Sequence, residues 1–212
     1  VLKYKRGDRM IPLGMDFFAR NTLDVARDLL GQYLVRCDGD EMIVCRITET
    51  EAYIGSIDKA CHAYGGRRTA RTETLYASPG TSYVYLIYGM YCCLNFVTEA
   101  EGTAAAVLIR GCEPVYNRDA VSQRRFGTDY AATTSYQRKN FMNGPGKLCK
   151  GLSIDRSFNN LPCGSSALYT TSEIPELGLS ARAADLPIQT GKRIGIDYAE
   201  EAIDFPWRFW LE

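Results

Sequence analysis

The chain has one histidine and two tryptophans in 212 residues, and none of its eight cysteines falls in a CxxC pair. Cys61-His62 is the adjacency that could suggest a metal. No second ligand pair stands at zinc spacing, so neither a metal nor a cofactor is expected. No run of 18 apolar residues occurs, which excludes a membrane-spanning helix. The first ten residues, "VLKYKRGDRM", lack the apolar core of a secretion signal. No repeat, low-complexity tract or linker divides the sequence. One domain is therefore expected over residues 1–212, with residues 1–12 as a flexible N-terminal extension. Net charge is also missing, since 25 basic residues face 25 acidic ones. The signs are nevertheless segregated. Residues 115–150 carry seven basic and two acidic side chains, and residues 173–212 carry eight acidic and four basic. Such a pattern can orient a polyanion, or can simply be solvated.

What is present is a globular composition, 46% hydrophobic and 24% charged. Cys37, Cys45, Cys61, Cys92, Cys93, Cys112, Cys149 and Cys163 lie mostly in apolar runs and read as small buried thiols of an intracellular protein. "NTLDVARDLLG" reads as a short helix capped by Asn21 and stopped at Gly31. "QYLVRC" and "MIVCRITETEAYI" read as strands around a turn at Asp38-Gly39-Asp40, and "SYVYLIY" and "YCCLNFV" as a hairpin followed by the strand "TAAAVLIRGC". Residues 114–126 are expected to be helical, opening at Glu113-Pro114. "GPGKLCKGLSI" reads as a turn into a helix, and short strands are expected around "ALYTT" and "KRIGID". The sum is α+β: a single domain with a curved, mostly antiparallel sheet, peripheral helices and a protruding tyrosine-tipped hairpin.

Four stretches carry chemistry. In "ETEAYIG", Glu49, Glu51 and Tyr53 share one strand face. A carboxylate there is costly to bury unless it is paired or used; the plain alternative is a solvated or ion-paired strand end. "KACHAYGGRRTAR" places His62 beside two glycines and Arg67, Arg68 and Arg71. Guanidinium forks match phosphate oxygens, although the same loop could be only a solvated basic one. In "YVYLIYGMY", Tyr88 falls at the turn, where no core can bury it. An exposed apical ring suits insertion into a base stack that has lost a nucleotide. "NGPGKL" puts backbone N–H groups and Lys147 at a helix start. That lacks the P-loop spacing, and turn-to-helix glycines are common.

Together, "RITETEAYIG…DKACHAYGGRRTARTETLYASPGTSYVYLIYGMYCCLN", "AAAVLIRGCEP", "NGPGKLCKGLSI" and "RIGIDYAEEAIDFPWRF" closely resemble, in order, the alkyladenine (3-methyladenine) DNA glycosylase family. The resemblance runs from Leu13 to Trp210. It implies a monofunctional glycosylase that flips damaged purines (3-methyladenine, 7-methylguanine, hypoxanthine, ethenoadenine) from double-stranded DNA and hydrolyses the N-glycosidic bond, as a monomer acting where DNA is kept. By the same resemblance Glu51 matches the general base, and Arg110 and the Ile194 carbonyl match groups that hold the attacking water. Tyr53, His62 and Tyr85 match the stacking pocket, and Asn95 a residue that disfavours guanine. Tyr88 matches the wedge, and Thr69, Met90, Tyr91 and Lys147 match positions near the DNA backbone, with Arg67 beside them. The family's pattern puts no lysine at the site, so no Schiff base is expected. Some members carry another residue at Arg68, and no role in the family demands the cysteines. The alternatives are a binding module on the same scaffold without catalysis, and a bifunctional glycosylase/lyase.

Overall fold

The long central strand organises the molecule. The computed structural model describes residues 11–181 and 187–212. Helices α1 (Met15–Phe18) and α2 (Thr22–Asp28) precede strands β1 (Tyr33–Asp38) and β2 (Glu41–Ile54). The hairpin β3 (Ser82–Ile87) and β4 (Tyr91–Val97) leads into β5 (Ala105–Tyr116). Helices α3 (Arg118–Phe126), α4 (Ser135–Lys139) and α5 (Pro145–Gly151) follow. Short strands β6 (Leu168–Thr171), β7 (Glu173–Ile174), β8 (Leu179–Ser180), β9 (Ile188–Gly191) and β10 (Arg208–Leu211) complete the described chain.

All pairings among these strands are antiparallel. Along one edge β2 pairs with β5 from Val44 to Ile54; along the other it pairs first with β1 and then with β10. At ~3.3 Å per residue β2 spans roughly 45 Å, too long to stay flat. Register irregularities against β5 at Val44/Cys45 and around Glu49 bend it. Bulges of this kind sharpen the right-handed twist. The result is a single α+β domain in which the sheet, ordered β3-β4-β5-β2-β1-β6, curls into a half-barrel.

Alternation then divides the residues between two faces. Val84, Leu94, Phe96, Val107, Ile109 and Ala52 point into the main core, which α2 and α5 cover with Val25, Ala26, Leu148 and Cys149. The α2 expectation holds: the Asn21 side chain accepts from the Leu23 N–H, a cap worth ~1 kcal/mol. Thr50 ties that helix to the sheet by donating to the Ala26 carbonyl. All eight cysteines are free thiols, six buried and Cys37 and Cys163 partly so.

Two local expectations fail. Residues 114–116 continue β5, and helix α3 begins only at Arg118. Pro114 is tolerated because it sits next to the register shift, opposite Cys45, where the ladder is already broken. "KRIGID" is a loop; the strand is its predecessor, β9. The backbone of that loop serves the site described below. Of the extension expected over residues 1–12, residues 1–10 lie outside the described residues. Ile11 and Pro12 lie against β6, the Ile11 carbonyl accepting from Thr171 and Pro12 bridging to it. Among the described residues no helix is long and apolar enough to cross a membrane.

Candidate active site

The sheet face opposite the core carries one row across four strands. Glu51 on β2 faces Leu108 on β5, Leu108 faces Asn95 on β4, and Asn95 faces Tyr83 on β3. The next row holds Tyr53 beside Ala106, and Tyr85 lies opposite Cys93. With strands ~4.8 Å apart the row spans roughly 14 Å. This face floors a cavity of about 540 Å³. Loop residues Ala60, Cys61, His62 and Arg71 wall one side, Ile194 to Ile196 and Tyr198 another, and Tyr88 stands at the mouth.

Glu51 is fully buried. Its Oε1 accepts from the Ile194 N–H at 2.9 Å, and its Oε2 accepts from the Tyr53 hydroxyl at 2.8 Å. Arg110 Nε lies 3.6 Å from Oε1. Burial raises the carboxyl pKa above the usual glutamate range, and Arg110, the Ile194 N–H and the Tyr53 hydroxyl offset part of that rise. Burial first, then the Glu51 charge, pushes the Tyr53 phenol well above its ordinary value, so it remains a donor.

Three rings form the adjacent wall. His62 meets Tyr85 edge-on at 4.6 Å between centroids, and Tyr83 lies 5.2 Å from Tyr85. His62 Nδ1 is 2.9 Å from the Tyr83 hydroxyl, and Arg71 Nη2 is 3.4 Å from Nε2. Arginine can only donate. Nε2 is therefore the acceptor, and the proton sits on Nδ1, facing Tyr83. Burial, with Arg71 and Arg67, lowers the His62 pKa to about 4. The ring is uncharged at neutral pH, a face that a cation can approach. The Asn95 side-chain amide donates to the Tyr83 carbonyl at 3.0 Å, which fixes its orientation across the hairpin.

The hairpin closes Ile87 against Tyr91, leaving Tyr88, Gly89 and Met90 as its loop. Tyr88 is 84% exposed and holds φ +51°, a left-handed conformation costing a non-glycine residue ~1–2 kcal/mol. The positive φ is what the tight hairpin turn requires, and it leaves the ring projecting into solvent. Met90 is also exposed. Beside the hairpin runs a groove of about 470 Å³ lined by Tyr91, Arg125, Gly144, Lys147 and Lys150. Gly146 packs closely there: a Cβ would meet the Tyr91 side chain at 3.0 Å. Lys147 donates to Asn140 and Asn143, both neutral. Arg67 and Thr69 line a separate cleft of about 320 Å³ behind His62. Arg68, beside them in sequence, pairs with Glu73 at 2.6 Å and stacks on Tyr76.

The expected site residues thus gather as two groups. Glu51, Tyr53, His62, Tyr85, Asn95, Arg110, Ile194 and the Tyr88 ring surround one cavity. Tyr91, Lys147, Arg67 and Thr69 lie in the clefts next to it. Ile194 reaches Glu51 through its amide N–H. Sequence reading missed three supports. Tyr83 orients His62, and only its alternation with Tyr85 hinted at that. Glu49 accepts from both Arg110 Nε (3.0 Å) and Arg208 Nε (2.5 Å). Asp58 and Arg193 form a fully buried bidentate pair beneath Tyr53, with Nη1–Oδ2 at 2.5 Å and Nη2–Oδ1 at 2.7 Å. Among the described residues no group of three or more His, Cys, Asp and Glu side chains could hold a metal ion.

Compared with known proteins, residues 16–212 match the family model described as Methylpurine-DNA glycosylase (MPG). A Clostridium perfringens protein (strain SM101) is 51% identical over 201 residues, covering 94% of this chain and 95% of its own length. A Clostridioides difficile protein (strain 630) is 48% identical over 199 residues, covering 93% and 98%. A Desulfitobacterium hafniense protein (strain Y51) is 48% identical over 200 residues, covering 94% and 95%. Each bears the name "Putative 3-methyladenine DNA glycosylase".

Proposed function

This chain belongs to the methylpurine-DNA glycosylase family and is a DNA-repair hydrolase acting on N-glycosyl bonds; from that premise we propose that Glu51 is its general base and that the ring-lined cavity receives a flipped purine. The observation that carries the reading is the buried Glu51 carboxylate on the floor of that cavity, held by the Tyr53 hydroxyl and the Ile194 N–H. Each of its oxygens has one of these partners, and a carboxylate oxygen accepts more than one hydrogen bond. A water in the cavity can therefore be oriented and deprotonated. Arg110 and the Ile194 carbonyl complete that water's surroundings. The ionised carboxylate also stabilises the oxocarbenium-like sugar as the base departs. Water attacks the anomeric carbon, its proton goes to Glu51, and the products are an abasic site and a free base. No strand is cut.

The substrates are purines alkylated at a ring nitrogen, which are cationic and leave readily: 3-methyladenine and 7-methylguanine. Uncharged Tyr53, His62 and Tyr85 faces favour such a ring. Hypoxanthine and ethenoadenine are neutral and need a proton on the departing base. With a pKa of about 4, His62 is almost never protonated at pH 7. It stacks rather than supplying that proton. Asn95 disfavours undamaged guanine by crowding its exocyclic amine; 7-methylguanine carries the same amine, and its cationic ring and easier departure offset that crowding. The enzyme acts on duplex DNA as a monomer, inside the cell with the DNA, and needs no cofactor. Lys147, Tyr91, Met90, Arg67 and Thr69 hold the backbone around the lesion.

Single-turnover release of these four bases from duplex oligonucleotides tests the reading. Release with the strand intact is expected. A covalent DNA adduct trapped by borohydride would point to the lyase instead, and no release at all to a binding module.

Tyr88→Ser tests the wedge. Aromatic–base stacking is worth ~1–3 kcal/mol, so ethenoadenine or 2-aminopurine fluorescence should show the flipped population falling roughly 10-fold. Affinity for undamaged duplex, which rests on the basic side chains, should change far less. Unchanged flipping would remove Tyr88 from this role.

A further inference from the structure

Arg110 stands between two carboxylates. Its Nε is 3.0 Å from Glu49 Oε1 and 3.6 Å from Glu51 Oε1. Glu49 is only 16% exposed and lies two residues before Glu51 on the same face of β2. The same Glu49 oxygen accepts from Arg208 on β10, whose guanidinium is braced over the Trp210 ring at 4.4 Å. Local register makes room for this cluster. In the regular ladder Glu49 would face Arg110, but it faces Gly111, and Arg110 drops out of the pairing. A Cβ at residue 111 would lie 3.1 Å from Glu49 Cβ and 3.3 Å from its Oε2.

We propose that Glu49 is a positioning residue that draws the Arg110 guanidinium off Glu51, leaving a lone pair of the base open to the cavity. The inference rests on Glu51 acting as the base. Arginine and carboxylate prefer a close, two-pronged pair. Such a pair at Glu51 would occupy the lone pairs that water needs and weaken the carboxylate as a base. By competing for Nε, Glu49 holds Arg110 at a distance from which its charge still favours the ionised base. The guanidinium stays tethered beside the reacting centre.

The groups facing the Glu51 carboxylate are Tyr53 and Glu49 from β2, Arg110 from β5, Cys93 from β4, and Arg193 with the Ile194 N–H from the loop after β9. Removing the Glu49 charge lets Arg110 close on Glu51. In Glu49→Gln the acid limb of the single-turnover pH–rate profile should move down by about 1 pH unit. The plateau rate should fall roughly 10- to 100-fold through misplacement of the reacting groups. Glu49→Asp, which keeps an anion, should recover part of the plateau. Arg208→Gln leaves Glu49 entirely to Arg110 and should move the limb the opposite way, upward. It also serves as the second readout should Glu49→Gln fold poorly. A limb displaced with the plateau intact would overturn the positioning role, reducing Glu49 to a distant charge. So would limbs unmoved in both variants while Glu51→Gln abolishes excision. Full excision by Glu51→Gln would instead remove the premise and leave the Glu49 question behind with it.

Discussion

Glu51→Gln should lower the single-turnover rate of 3-methyladenine excision by ~10²–10⁴-fold, about 3–5 kcal/mol in the barrier, while making the protein more stable at neutral pH. The kinetic half follows from the loss of the only group on the cavity floor placed to take a proton from water among the described residues. The stability half follows from linkage. Burial raises the folded-state pKa of Glu51 above its unfolded value. The stabilisation tied to the protonated form is therefore complete below the unfolded pKa of about 4.3. It is lost as pH rises through the higher folded value, so at pH 8 the wild type carries the cost of a buried charge. Glutamine carries none, and it can still accept from the Ile194 N–H and donate to the Tyr53 oxygen. The gain in Tm should be larger at pH 8 than at pH 4. A variant that is less stable than wild type at pH 8 would show that the carboxylate is there for the fold.

Removing one partner of the Asp58–Arg193 pair should act in the opposite sense and destabilise the fold. Both side chains are wholly buried, and Arg193 also donates to the Ala52 and Ala202 carbonyls while stacking on Tyr53 and Trp207. Asp58 further accepts from the Ala60 N–H. The pair thus pins the loop carrying His62 and the loop carrying Ile194 to β2 at Ala52 and Tyr53, so that two sides of the cavity share one anchor. Replacing such a pair with well-packed apolar residues can be neutral, but removing one partner strands a buried charge at ~3–5 kcal/mol. Asp58→Asn should therefore lower Tm by roughly 6–20 °C, at ~2–4 °C per kcal/mol for a chain of this size. Thermal unfolding measures this. A change of a degree or two would mean that the Arg193 charge finds water or another anion. Excision should fall as well, because Ile194 loses its register on Glu51.

These two effects differ in how far the sequence announced them. Glu51 stood on an alternating strand face with Tyr53, and alternation is a local property that survives folding. The hairpin and its apical Tyr88 were legible for the same reason, as was the Asn21 cap. Asp58–Arg193 was not, because the partners are 135 residues apart and their loops have no period to read. "KRIGID" looked like a strand, yet its Ile194 N–H is committed to Glu51 and its Arg193 side chain to Asp58, and neither joins a ladder. Pro114 looked like a helix start, but the neighbouring irregularity in the β2–β5 ladder admitted it into the strand. Arg68 looked like Arg67 and Arg71 until Glu73 was found to hold it. The charge segregation was real but partly spent within the fold. Arg125, Lys147 and Lys150 line the groove beside the hairpin, while Glu200, Glu201 and Asp204 pair with Lys59 and Lys192.

The pH dependence of single-turnover excision of a cationic 7-methylpurine, compared between wild type and Glu51→Gln from pH 4 to 7, asks most directly whether an ionised buried carboxylate performs the hydrolysis. A cationic lesion removes the need to protonate the departing base, so the enzyme's own group sets the acid limb. The wild-type rate should rise with pH through a midpoint above the ordinary glutamate value of about 4.3, and the residual Glu51→Gln rate should be flat. An acid limb persisting unchanged in Glu51→Gln, or a flat wild-type profile, would contradict the account.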